Sequence, residues 1–182
     1  FLAESLEHRT IDVPLEGTGE NQRRISWDGA LAQVAQWFRD APQTLVVASA
    51  NMCNEALYAV RRNLAEGAQM EVIVPINEGE VRRIKNGRGN WMTSTDNHPN
   101  SAGVRHLGLT TVDAANLESY LRDGTGPVLI LDAHAHPWLE SAAAAAVAAS
   151  RQAAVLARYG TPLVDTAQIV MPVASWAETE GT

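Results

Sequence analysis

Residues 45–74 read LVVASANMCNEALYAVRRNLAEGAQMEVIV, and the fold turns on how this stretch divides. Leu45-Val46-Val47-Ala48 is a short apolar run rich in β-branched side chains. Such a run marks a strand buried on both faces, as in a parallel sheet. From Asn51 the period changes. Leu57, Val60 and Leu64 fall on one helical face, and Gly67 is placed to cap the helix end. Val72-Ile73-Val74 is a second buried strand. A strand–helix–strand unit of this kind calls for a right-handed crossover.

The same alternation continues in both directions. Upstream, Ser26 is placed to cap a helix whose Leu31, Val34, Ala35 and Phe38 recur at helical spacing, and Pro42 stops it. Downstream, Asn77–Val112 shows no sustained period, and a connection that long is usually functional or an interface. Asp113 then predicts the cap of a helix carrying Leu117, Tyr120 and Leu121, closed by Gly124. Val128–Leu131 reads as a third strand, 138–150 as an alanine-rich helix, Ala153–Ala157 as a fourth strand and Ile169–Met171 as a fifth, ended by Pro172. There is no internal repeat. The expectation is an α/β fold: an open, mostly parallel, Rossmann-like sheet of about five strands with helices on both faces. It occupies residues 26–182, after an extended lead-in over 1–25 that holds Pro14, Gly17 and Gly19.

Composition bounds the function. A chain of 182 residues suits one globular domain, and 46% hydrophobic with 19% charged residues is globular rather than disordered. The single cysteine, Cys53, allows no internal disulfide and cannot hold an iron–sulfur cluster, which needs about four thiolates. A net charge of −7 argues against a nucleic-acid partner. The longest apolar stretch, Ala142–Ala149, is far short of the ~20 residues that span a bilayer, so no membrane insertion is expected. The chain starts at Phe1 without a secretory signal and stops at Gly181-Thr182, which reads as a piece of a longer protein.

In open α/β sheets, ligands sit outside the carboxyl ends of the strands, where strand order reverses. That draws attention to Ser49-Ala50-Asn51 after the first strand and Asp132-Ala133-His134-Ala135-His136 after the third. His134 and His136, two apart, could share a metal as in metal-dependent hydrolases. Those enzymes add ligands from later strands, and none of the 46 residues after His136 is a histidine. Cys53, in the first turn after strand one, could be a low-pKa thiol or a small buried side chain, and no base is paired with it in the sequence. The glycine-rich phosphate turn is missing, because Ser49 to Asn54 contains no glycine. Arg82-Arg83-Ile84-Lys85 with Arg88 could hold a phosphate, form a solvated face, or pair with Glu78 or Glu80. Trp91, Trp138 and Trp176 fall in or beside expected loops, which suggests docking surface.

Motifs at both ends add a resemblance. Ile25-Ser26-Trp27-Asp28-Gly29-Ala30-Leu31 resembles the I-S-W-D-E-A-L helix start of the molybdopterin oxidoreductase superfamily, with Gly29 for the usual Glu. Thr166-Ala167, Ile169-Val170-Met171-Pro172 and Ala177-Glu178 through Gly181-Thr182 follow that superfamily's later signature in order. Asn97-His98-Pro99-Asn100-Ser101-Ala102-Gly103, with Leu107-Gly108-Leu109, resembles the N-P-N-x-x-G…L-G-L segment of one branch. That branch is the large, G-type iron–sulfur subunit of NADH:quinone oxidoreductase, respiratory complex I. The resemblance implies a domain without its own redox centre, whose iron–sulfur clusters lie in an absent N-terminal part. It implies a scaffold in the peripheral arm of an electron-transfer complex, cytoplasmic and peripheral to the inner membrane. Its partners would be the rest of its own chain and neighbouring subunits. The alternative is a working molybdopterin-guanine-dinucleotide oxidoreductase of the formate-dehydrogenase kind, in which Asn54, Asp132 and His136 would contact the cofactor. Relatives carry a glycine-containing turn at Asp132–Pro137, and here the glycine is gone.

Overall fold

The computed structural model describes residues 10–76, 78–85, 88–89, 91–96, 98–113, 116–124, 126–131 and 152–174. The strands are β1 (Leu15–Glu16), β2 (Arg23–Arg24), β3 (Leu45–Ala48), β4 (Glu71–Ile76), β5 (Glu78–Lys85), β6 (Trp91–Asp96), β7 (Thr110–Asp113), β8 (Val128–Leu131), β9 (Ala153–Ala157) and β10 (Ile169–Pro172). The helices are α1 (Trp27–Asp40), α2 (Asn54–Val60), α3 (Ser101–His106), α4 (Leu117–Asp123) and α5 (Pro162–Thr166). Eight strands form one mixed, open sheet in the order β2-β1-β10-β9-β8-β3-β4-β7, and β5 with β6 forms a separate hairpin.

Six neighbouring strands, from β10 to β7, are parallel. Numbered along the chain, these six run 3-2-1-4-5-6, the doubly wound order, and the order reverses between β3 and β8. The five strands expected from the sequence are five of these six. The additions are β7 on one edge and, on the other, the two-residue antiparallel strands β1 and β2. β1 and β2 are joined by a 3-10 turn over Gly19–Asn21, so residues 10–25 are only partly extended along that second edge. The Ile11 N–H donates to the Arg158 carbonyl at 2.8 Å, and Ile11 is buried.

Strand alternation sorts the core. Leu45, Val47, Ile73, Val128, Ile130, Val155 and Val170 face one side, with Leu117 and Leu121 of α4 and Leu163 and Val164 of α5. Val46, Ala48, Val72 and Val74 face the other, with Leu57 and Val60 of α2 and Val104 of α3. Further along that second side, Ala154, Ile169 and Met171 meet Ala30 and Val34 of α1. Each central strand is thus apolar on both faces, as the parallel arrangement demands.

Several local details differ from the sequence reading. Ser26 does cap α1, its Oγ accepting from the Gly29 N–H at 3.1 Å. The inward face of α1 is buried Ala30 and Val34 with half-buried Trp37 and Phe38; Val34 and Phe38 are as expected, whereas Leu31 and Ala35 are exposed and Ala30 and Trp37 take their place. Helix α2 begins at Asn54 and not Asn51. A turn intervenes, in which the Met52 N–H donates to the Ser49 carbonyl and the Asn51 N–H to Ser49 Oγ. The helix ends through a widened π turn, Arg61–Gly67, and Gln69, not Gly67, takes the positive φ of 54°. Asp113 ends β7, and Asn116 is the residue that precedes α4. The segment expected as a helix over 138–150 lies outside the described residues.

Candidate functional site

The reversal of strand order puts the candidate crevice beyond the carboxyl ends of β3 and β8. On the β3 side the structure shows what lines it. Ser49 and Ala50 leave the strand buried, and Cys53, half-buried, stands just before α2. Asn54 is the first residue of α2 and lines the groove there.

Asn54 does not stand alone there. The segment from His98 to Gly103 crosses over the loop after β3 and fastens to it at three points. The Asn100 N–H donates to the Ala50 carbonyl at 3.0 Å. Asn100 Nδ2 donates to the Met52 carbonyl at 2.9 Å and to Asn54 Oδ1 at 3.0 Å. One asparagine therefore satisfies two backbone carbonyls and the side-chain acceptor of Asn54. Gly103, in the first turn of α3, makes this fit. A Cβ at that position would run into Oδ1 of both Asn54 and Asn100.

What remains open is a groove of about 490 Å³ along α3, lined by Asn54, Asn100, Ala102, Gly103, His106 and Leu107. Its walls are two amides, one imidazole and apolar carbon. Among the described residues, no carboxylate, arginine or lysine lines it. Such a lining can hold an uncharged amide-bearing or apolar group. Ser101 and Val104, on the inner face of α3, are buried.

Of the three residues expected to contact a cofactor, only Asn54 is described. Asp132 and His136 lie outside the described residues, as do His134, the Trp138 and Trp176 side chains and the Ala177–Thr182 signature. Among the described residues, no group of three or more His, Cys, Asp or Glu side chains could hold a metal. No described helix is long and apolar enough to cross a membrane. In the sequence, Asn100 and Gly103 stand out as family marks and not as site residues. The signal for their role is the Asn-x-x-Gly spacing, which puts a donor amide and a Cβ-free position on one turn of helix.

Comparison with known proteins gives one direction. No protein-family model matches the chain. The chain is similar to the G subunit of NADH-quinone oxidoreductase from Pseudomonas putida (strain KT2440), at 29% identity over 155 residues. That alignment covers 84% of this chain and 15% of the relative, so the chain spans a small part of the relative's length.

Proposed function

We propose that this chain is an α/β domain of a G-type subunit of NADH-quinone oxidoreductase, serving as a scaffold and carrying no redox centre of its own. The observation that carries the reading is the alignment to the Pseudomonas G subunit across 84% of the chain. The ordered motifs from Ile25 to Gly108 run the same way. Under this reading the chain keeps a Rossmann-like sheet inherited from the molybdopterin superfamily and has lost the ligand. Two features support that loss. Asn100 ties up the acceptors on the loop after β3. The stretch Ser49–Asn54 lacks the glycine that would let a backbone approach a pyrophosphate. The implied partners are the rest of a longer chain, residues 26–182 forming one unit of it, and neighbouring subunits of a peripheral arm on the cytoplasmic side. Iron–sulfur clusters would belong to other parts of that longer chain.

The second reading, a cofactor-binding half of a working molybdopterin-guanine-dinucleotide enzyme, is favoured by the doubly wound strand order with Asn54 at its reversal point. Asp132 and His136 would supply the remaining contacts. Titration of the isotope-labelled chain with GDP separates the two. The scaffold reading predicts no shift of the Asn54 and Asn100 side-chain amide signals up to about 1 mM, the range of a very weak ligand. A saturable shift of those signals would favour the dinucleotide reading instead.

A further inference from the structure

The hairpin β5–β6 is a two-stranded sheet of its own, not hydrogen-bonded into the eight-stranded sheet. Its register pairs Lys85 with Trp91 and Arg83 with Thr93. Directly opposed residues share a face, so these four side chains lie on one surface of the ribbon. All four are exposed, Trp91 at 60%. The Arg83 guanidinium lies 5.4 Å from the centre of the Trp91 ring, and Lys85 Nζ lies 5.9 Å from it. Among the described residues, no carboxylate forms an ion pair with either cation, since those pairs involve Arg23, Arg61 and Arg62.

We infer that this face is a docking site for an acidic surface segment of a partner protein. Tryptophan and arginine are the side chains that most often anchor protein interfaces. Here an exposed aromatic ring has two cations within about 6 Å of its centre. Carboxylates of the partner would pair with Arg83 and Lys85 while its apolar side chains cover the ring. Charge decides against a nucleic acid as the occupant. The chain as a whole carries −7, which repels an extended polyanion, and a single ring with two cations lacks the track of aromatic and basic side chains that such strands use. A short acidic segment needs only the two cations and the ring beside them, whereas a polyanion would meet the negative charge of the whole chain. This inference uses no residue of the crevice and does not depend on the family reading.

The test is titration of the isotope-labelled 182-residue chain, at low salt, with a short peptide of alternating Glu and Leu. The expected result is a saturable shift of the Trp91 indole N–H signal, with affinity falling as salt is raised. Arg83→Gln combined with Lys85→Gln should weaken binding by about tenfold or more, and Trp91→Ala separately by a similar factor. Arg39→Gln, on α1, should leave it unchanged. Far-UV circular dichroism of these variants should match the parent, because Arg83, Lys85 and Trp91 are exposed side chains. Absence of a shift overturns the inference, as does equal weakening by Arg39→Gln. Tighter binding of oligothymidylate at the same residues overturns it in favour of a nucleic-acid site. Concentration-dependent self-association that Trp91→Ala abolishes overturns it in favour of a second copy of the chain. Unfolding of both hairpin variants overturns it in favour of a structural role.

Discussion

At the scale of single residues, the fold is held by a few side chains whose work is long-range. Gln168 is one. Its Oε1 accepts from the Ala153 N–H at 2.6 Å, at the start of β9, while its own N–H donates to the Ala153 carbonyl. Ala153 is fully buried, so Gln168→Ala leaves a buried donor without a partner. The expected loss is roughly 1–3 kcal/mol in urea unfolding. Gly103→Ala is expected to cost about 1–3 kcal/mol, because the added methyl must displace the side chains of Asn54 and Asn100. Its companion signature is loss of protection at the Asn100 side-chain amide. The surface acids show a different behaviour. A hydrogen bond from Arg62, with a second from Arg61, holds the Glu66 carboxyl below its usual pKa. Gln33 first, and then Arg23, do the same for Glu16. A carboxyl whose folded pKa is depressed stabilises the fold above its unfolded pKa, and that contribution disappears as pH falls through the folded value. The window therefore lies on the acid side of the ordinary glutamate range. Carboxyl titration by NMR should find both groups below that range, and Arg62→Ala should raise Glu66.

At the scale of elements, legibility followed burial. The runs Leu45–Ala48, Val128–Leu131 and Ala153–Ala157 lie inside the sheet, where both faces must be apolar, and so they stand out in the sequence. Strand β7 is Thr-Thr-Val-Asp at the open edge, mostly exposed, and carries no apolar run to see. β1 and β2 are two residues each, too short for any period. The hairpin hid in a stretch rich in charged and amide side chains that carries no sustained period. The half of the candidate site around Asn54 was legible as a position after a strand. Its engagement by Asn100 was not, because 46 residues separate them and only the folded chain brings them together. The same limit explains the shifted face of α1. Leu31 fits the helical period as well as Ala30 does, but the close approach of α1 to β10 admits only the smaller side chain inward. Ala30→Leu is accordingly expected to destabilise by about 1–3 kcal/mol through overpacking against Ile169 and Met171, measured by thermal or urea unfolding. Leu31→Ala, on the exposed side, should change stability by no more than about 0.5 kcal/mol.

At the scale of the whole molecule, the sheet has the doubly wound strand order, and its crevice on the β3 side is bridged by the chain's own Asn100. The described lining of the groove is amide, imidazole and apolar carbon. The chain is similar to one part of a much longer oxidoreductase subunit. On the scaffold reading, the protein works in company, inside an NADH-quinone oxidoreductase. The decisive measurement is affinity purification of the epitope-tagged full-length protein from the cells that encode it, with NADH:quinone oxidoreductase activity and molybdenum content assayed across the eluted fractions. The scaffold reading predicts that the tag co-elutes with NADH:quinone oxidoreductase activity and that molybdenum stays at background. Elution apart from that activity, with molybdenum bound in proportion to the protein, would contradict it.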